Sequence, residues 1–284
     1  MSATPESDAL SSPQNPLEGL PGVEPEWVAA APPAPPVKPK VEDPPWSGWD
    51  VLLIIGVTLA ATFLLSIVAV VGAKLLILRS VPWIEITKIP EVLVFAQLLA
   101  YIAIFVIMYR MVKTRTGAFW QSIRWNWPKS TWMSYLLGGA MVFFILAGLA
   151  HFLPMPRNLP IDRFFENARQ ASIMSVFAMT AAPLMEELFF RGFLYPVLAR
   201  RVGVVISILI TSVAFGLLHG DQLKFSWAAV LIIFLVGVAL TTVRAVTKSV
   251  AASFLVHVGY NGTLSVLLFV ATSGFRHLEK LNRQ

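Results

Sequence analysis

The sequence predicts an all-α protein, a polytopic bundle of about seven transmembrane helices within a range of six to eight. Hydrophobic residues make up 56% of the 284 positions, and mean hydropathy is +0.70, which is far too apolar for an ordinary soluble domain. Charged residues make up only 13%. The apolar residues form repeated stretches close to the roughly 20 residues that one membrane crossing needs.

Seven apolar stretches are the predicted spans. They cover residues 51–78, 91–111, 132–153, 171–198, 202–218, 227–247 and 250–272. Trp46 and Trp49 precede the first span, where an interfacial aromatic belt is expected. The mixed segment 154–170 is predicted to form a loop followed by an amphipathic interfacial helix.

The predicted spans divide the chain into four regions. Residues 1–46 are rich in proline and small polar residues, and we expect a disordered tail there. Residues 47–170 contain the N-terminal helices and loops, 171–272 contain the helical core, and 273–284 form a polar tail. The first residues lack the basic and apolar pattern of a signal peptide, so we expect the first span to be retained.

Charge and cysteine content narrow the classes of function. The formal net charge of +6 fits basic loops that contact anionic headgroups, so we expect membrane lipids rather than nucleic acid as partners. The chain contains no cysteine, which excludes disulfides, thiolate catalysis and Cys-ligated metals.

The basic residues do not fix the orientation in the membrane. Those after the second span predict a cytoplasmic loop: Arg110, Lys113, Arg115, Arg124 and Lys129. Arg157, Arg163 and Arg169 then fall on the opposite side, against the same rule.

Two carboxylates and a guanidinium interrupt the fourth predicted span. Glu186 and Glu187 are adjacent, so their side chains point about 100° apart on a helix, whereas Arg191 shares a face with Glu187. Ionisable side chains inside a bilayer are costly and usually mark a site in the bundle interior. We therefore predict a buried ion pair between Glu187 and Arg191, which leaves Glu186 facing a cavity.

Two histidines and an asparagine lie in other predicted spans. Phe215 and His219 are four residues apart in and just after the fifth span, and His257 and Asn261 are four apart in the seventh. Each pair shares a helical face. At about 1.5 Å per residue from the turns, Glu186 and these polar groups fall in one interior band of a core about 30 Å thick. A tilt or a break in a helix would bring them together.

A carboxylate, two imidazoles and a carboxamide at similar depth are suited to hydrolysis. Glu186 can take a proton from water, and an imidazole can orient that water or protonate a leaving amine. His257 and Asn261 can donate hydrogen bonds to the oxyanion that develops on a scissile carbonyl. Alternatively, Glu186, His219 and His257 can hold zinc or another divalent metal with an open position for water.

Three short motifs in these segments resemble a known family. Glu-Glu-x-x-x-Arg begins at Glu186, Phe-x-x-x-His begins at Phe215, and His-x-x-x-Asn begins at His257. In this order they are similar to the signature motifs of the CPBP intramembrane proteases. That family includes the type II CAAX prenyl endopeptidases and the bacterial Abi proteins linked to bacteriocin self-immunity. The resemblance covers residues 171–272 and gives little support to the first three spans.

The resemblance implies an all-helical membrane endopeptidase. Glu186 and His219 would activate the water, and His257 with Asn261 would stabilise the oxyanion. The implied supporting residues are Glu187, Arg191 and Phe215. A metal-dependent mechanism and a metal-free glutamate mechanism are both consistent with the family.

The predicted function is hydrolysis of a peptide bond in a membrane-associated substrate, of CAAX or bacteriocin-like type, in a bacterial inner membrane. A proton-coupled transporter or carrier is the alternative, because buried Glu, His and Arg also form proton relays. A catalytically silent membrane scaffold is a third hypothesis. The sequence shows no paired interrupted helices in repeated halves, which favours the protease over the transporter.

Overall fold

The computed structural model describes residues 43–156 and 159–278. Within these ranges every regular element is helical, which confirms the predicted all-α bundle. Most of the predicted disordered tail, residues 1–42, lies outside the described residues. The same holds for Arg157 and for the end of the predicted polar tail, residues 279–284.

Six helical stretches in the described part of the chain are long and apolar enough to cross a membrane. In chain order they are α1 (Gly48–Leu76), α2 (Pro90–Thr116), α3 (Trp132–Ala150), the compound stretch Ala168–Val202, and two C-terminal helices, Trp227–Thr247 and Val250–Ala271. The protein is therefore an integral, multi-pass membrane protein.

The compound stretch is not the continuous helix that was predicted for residues 171–198. It consists of α4 (Ala168–Met179), α5 (Ala181–Glu186), a π-helix (Glu187–Leu194) and α6 (Tyr195–Val202). Thr180 separates the first two with a non-helical backbone, φ −125° and ψ −79°. Pro183 follows this break and has no N–H for the carbonyl of Met179, so a regular helix cannot continue through this point.

The seventh apolar helix, α7 (Val204–Leu218), is short. Its 15 residues rise about 22 Å at about 1.5 Å per residue, which is less than a hydrocarbon core of about 30 Å. A 3₁₀ turn, Asp221–Leu223, connects it to α8 (Trp227–Thr247), which is followed by α9 (Val250–Ala271). The prediction of about seven spans thus corresponds, in the described residues, to six full-length stretches and one short helix.

The segment before α4 differs from the predicted amphipathic helix. Its regular structure is a 3₁₀ helix, Pro160–Phe165, and α-helix begins only at Ala168. The Asn167 side chain caps that start by accepting a hydrogen bond from the N–H of Gln170 at 3.0 Å. The α-helix that begins at this cap is the first part of the apolar stretch Ala168–Val202.

Helices α3 and α9 pack closely at two glycines, each of which faces the opposite backbone. A Cβ on Gly139 would lie 2.0 Å from the carbonyl oxygen of Val256, and a Cβ on Gly259 would lie 2.0 Å from that of Leu136. A side chain at either position would therefore push the two helices apart. The neighbouring Gly138 has open space around it.

The described chain begins with an ordered segment ahead of α1. Trp46 is 2% exposed and stacks on Phe193, so it is not part of the predicted interfacial aromatic belt. Trp49 is 78% exposed, as an interfacial residue would be. Ser47 and Asp50 form a capping box that starts α1. Trp46 lies before this cap and outside α1, so its side chain is not part of the surface of that helix.

Candidate active site

Glu187 lies at the centre of a buried hydrogen-bonded network. Its Oε1 accepts hydrogen bonds from Arg191 Nη1 and His257 Nδ1, each at 2.9 Å, and its Oε2 accepts one from Ser253 Oγ at 2.6 Å. The side chains of Glu187 and Arg191 are both fully buried. The predicted ion pair is therefore present, and a histidine and a serine from α9 complete it.

Arg191 connects this network to two other helices. Its Nη2 donates to the carbonyl oxygen of Gly237 in α8 at 3.3 Å. Its guanidinium lies over the ring of Phe215 in α7, 4.6 Å from the ring centroid. The Phe215 ring also lies 4.8 Å from the ring of His219 and 5.8 Å from that of His257. The Phe215 ring thus contacts the buried cation on one side and both imidazoles on others.

Glu186 points elsewhere, as its adjacent position on the helix requires. Its side chain is 16% exposed and lines a cavity. One carboxylate oxygen, Oε1, lies 3.9 Å from His219 Nε2, and the other, Oε2, lies 3.7 Å from His257 Nε2. Both separations are longer than a direct hydrogen bond and are compatible with bridging water.

Both imidazoles are oriented through their Nδ1 atoms. His219 Nδ1 lies 2.9 Å from the carbonyl oxygen of Phe215, and His257 Nδ1 lies 2.9 Å from Glu187 Oε1. Both partners are acceptors, so each Nδ1 carries a hydrogen that it donates. The Nε2 atoms of both rings are thereby left facing Glu186.

Asn261 lies beside the break in the compound stretch. Its Nδ2 donates to the carbonyl oxygen of Ala178 at 2.7 Å. In a continuous helix this carbonyl would accept from the N–H four residues later, but the chain departs from helical geometry at Thr180. One amide hydrogen of the predicted oxyanion donor is therefore engaged with the protein backbone, and the second remains. Asn261 also lines the cavity.

The cavity beside Glu186 has a volume of about 2370 Å³. The compound stretch, α7 and α9 supply many of its lining residues, and α1 and α2 supply others. Gln97 and Tyr101 on α2 bring polar groups into it, and the ring of Tyr101 stacks on Phe177 at 5.9 Å. The N-terminal helices are thus part of the site, although the motifs gave them little support.

Three lining or network residues were missed by reasoning from sequence. Ser253 lies four residues before His257, so the face it shares with that histidine could have identified it. Gln97 and Tyr101 are also four residues apart, and a glutamine within an apolar span was a usable signal. His151, His277 and Asp221 are exposed, and none lines the cavity.

The predicted metal ligands are Glu186, His219 and His257. Across residues 43–156 and 159–278, no group of three or more His, Asp and Glu side chains is arranged to hold a metal ion. The set Glu186, His219 and His257 is close together but does not form such a group as it stands.

Fold and site together define a class of protein: a multi-pass helical membrane protein with an acid and two imidazoles beside a cavity among its helices. Comparison with known families makes this more specific. Residues 168–263 match the family model described as Type II CAAX prenyl endopeptidase Rce1-like. The matched segment contains all three motifs and confirms the resemblance to the CPBP family.

A curated bacterial protein is also similar to this chain. UPF0177 protein YbdI of Lactococcus lactis subsp. lactis (strain IL1403) is 29% identical over 185 residues, which cover 62% of this chain and 94% of the relative. No solved structure matches the chain.

Proposed function

We propose that this protein is an intramembrane endopeptidase in which Glu186 activates water with the help of His219. The observation that carries the proposal is the position of the Glu186 carboxylate, which lies on the cavity between the Nε2 atoms of two imidazoles. The match to a type II CAAX prenyl endopeptidase family supports hydrolysis over proton-coupled transport. A membrane-associated protein or peptide is the corresponding substrate.

The reaction begins with a water molecule beside Glu186. The carboxylate takes a proton from that water while the oxygen bonds to the carbonyl carbon of the substrate. The proton then passes, through His219 Nε2, to the nitrogen of the breaking C–N bond. The products are a carboxylic acid and an amine.

The negative charge on the carbonyl oxygen needs hydrogen-bond donors during this step. His257 can donate from Nε2 when it carries a proton on both nitrogens, and Glu187 supplies the negative charge beside that imidazolium. Asn261 can donate its second amide hydrogen, since the first is engaged with Ala178. Such preorganised donors commonly contribute about a hundredfold or more to turnover.

The decisive experiment compares Glu186→Gln and His219→Ala with wild type, in membranes that carry a tagged candidate substrate. We expect each variant to lower the cleavage rate at least about 100-fold, because each removes a proton-transfer group. Glu85→Gln and His151→Ala are matched controls, since Glu85 is in an exposed ion pair and His151 is exposed. Wild-type cleavage rates in both active-site variants, with unchanged thermal stability, would show the assignment to be wrong.

The substrate can be sought without assuming its identity. We propose a bacterial inner membrane as the location, because a relative is bacterial, and a CAAX-type or bacteriocin-like protein as the substrate. Proteomics of membranes with wild type and with Glu186→Gln should reveal uncut precursors in the variant alone. Identical peptide maps would argue against proteolysis in that membrane.

Metal dependence can be tested by measuring the metal content of the protein and its inhibition by a chelator. If Glu186, His219 and His257 hold a divalent metal, purified wild type will contain about one ion per chain and His219→Ala will lose it. If the mechanism is metal-free, cleavage will survive a chelator. Elemental analysis and chelator treatment of the same preparation distinguish the two mechanisms.

A further inference from the structure

Residues 43–50, called the strap here, cross the end of the π-helix. Trp46 is the buried centre of the strap: its ring stacks on Phe193 with centroids 4.5 Å apart, and its Nε1 donates to the carbonyl oxygen of Phe193 at 3.0 Å. The indole is 2% exposed. A side chain far from the motifs in sequence thus contacts the helix that carries Glu187 and Arg191.

Two arginines from other helices form hydrogen bonds and ion pairs with the strap. Arg115 of α2 pairs with Asp50 through two hydrogen bonds of 2.7 and 2.8 Å, and it donates to the carbonyl oxygen of Pro45 at 3.2 Å. Arg200 of α6 pairs with Asp43 and also donates to the carbonyl oxygen of Trp46 at 3.5 Å. The strap therefore ties α2 to the end of the catalytic stretch.

The π-helix needs hydrogen bonds from outside itself. In a π-helix, the carbonyl of Arg191 would accept from residue 196, but that residue is Pro196 and has no N–H. Arg244 Nε of α8 donates to this carbonyl instead, at 3.1 Å. Trp46 donates to a second carbonyl two residues later, that of Phe193. Side chains from other elements therefore bond to two carbonyls at this end of the π-helix.

We propose that Trp46 is a positioning residue for the active site, acting through the Phe193 carbonyl and the register of the π-helix. That register determines where Glu187 meets His257 and, one residue earlier, where Glu186 faces the cavity. The inference rests on the proposed protease function. It adds a residue outside the segment 168–263 that matches the endopeptidase family.

The test compares two tryptophans of the same segment. Trp46→Phe keeps an aromatic ring against Phe193 and removes the indole N–H, whereas Trp49→Phe changes a ring that is 78% exposed. The probe is an internally quenched farnesylated CAAX peptide, cleaved by full-length protein in liposomes. We expect Trp46→Phe to lower kcat about 10-fold with little change in KM, because small misplacements of reacting groups are costly. Trp49→Phe should retain wild-type kcat.

A second variant and a second measurement guard against a simple folding defect. Arg200→Gln removes the ion pair with Asp43 but leaves the buried Trp46 ring in place. It should also lower kcat. Hydrogen exchange of residues 187–194 should become faster in Trp46→Phe and stay unchanged in Trp49→Phe, whether or not the peptide is cleaved.

The outcomes separate this inference from the proposed function. Equal kcat and equal exchange in the two tryptophan variants would overturn the positioning role. A loss of kcat that only follows the loss of folded protein would also overturn it. Wild-type activity that does not depend on Glu186 would instead overturn the proposed function.

Discussion

Adjacent glutamates have different environments because a helix turns each residue away from the one before. Glu187 is sealed among Arg191, Ser253 and His257, whereas Glu186 faces the cavity. The four-residue spacing was enough to predict the ion pair with Arg191. It could not predict the bond to His257, because sequence spacing describes faces within one helix and not the meeting of two helices.

Breaking the buried ion pair should destabilise the protein. We expect Arg191→Ala to lower the free energy of unfolding by about 3–5 kcal/mol, because Glu187 would be left as an uncompensated buried charge. Denaturant titration in mixed micelles measures this. Arg169→Ala is the control, since Arg169 is exposed and lies 3.7 Å from Glu91, and its effect should stay within about 1 kcal/mol.

One result would contradict a structural role for the ion pair. If Arg191→Ala had wild-type stability but no turnover, Arg191 would take part in the reaction and would not mainly stabilise the fold.

At the scale of elements, the main departure from prediction is the interrupted fourth span. Hydropathy reports where a chain is apolar, and it identified the stretch correctly. It does not report how backbone hydrogen bonds are arranged inside that stretch. Pro183 and Pro196 were visible in the sequence. The side chains that donate to nearby backbone carbonyls, Asn261 to Ala178 and Arg244 to Arg191, come from α9 and α8.

The sequence also does not show which residues of one helix face another helix. Two neighbouring glycines of α3 illustrate this and allow a matched test. Gly138 and Gly139 are adjacent in sequence, yet only Gly139 faces the backbone of α9. We expect Gly139→Ala to lower the melting temperature markedly, since its Cβ would lie 2.0 Å from a carbonyl oxygen, and Gly138→Ala to leave it nearly unchanged. Thermal unfolding in detergent measures both, and equal melting temperatures would contradict the packing of α3 on α9.

At the scale of the whole molecule, the helices that precede the matched family segment form part of the site. Thr58, Thr62 and Ser66 of α1 line the cavity at four-residue spacing, as do Gln97 and Tyr101 of α2. The motifs pointed to Glu186, His219, His257 and Asn261. They did not point to the lining residues of α1 and α2, because residues that only line a cavity carry no catalytic pattern. The multi-pass architecture itself followed from composition and length.

A hydrolase needs water in this cavity, and the cysteine-free chain allows a direct test. Ala182 lines the cavity, whereas Val213, in the middle of α7, is 47% exposed and does not line it. We expect Ala182→Cys to react with a charged methanethiosulfonate in liposomes and Val213→Cys to react much more slowly, because the reagent attacks thiolate, which forms in water and not beside acyl chains. Protection of Ala182→Cys from the reagent would show that the cavity is dry.

The brevity of α7 affects the surrounding lipid. A helix that rises only about 22 Å cannot match acyl chains that fill about 30 Å, so the leaflet beside it must become thinner. His219 is the C-cap of this helix, so we expect headgroups and solvent to come close to it in a thinned leaflet. Turnover measured in liposomes should therefore fall as the acyl chains become longer.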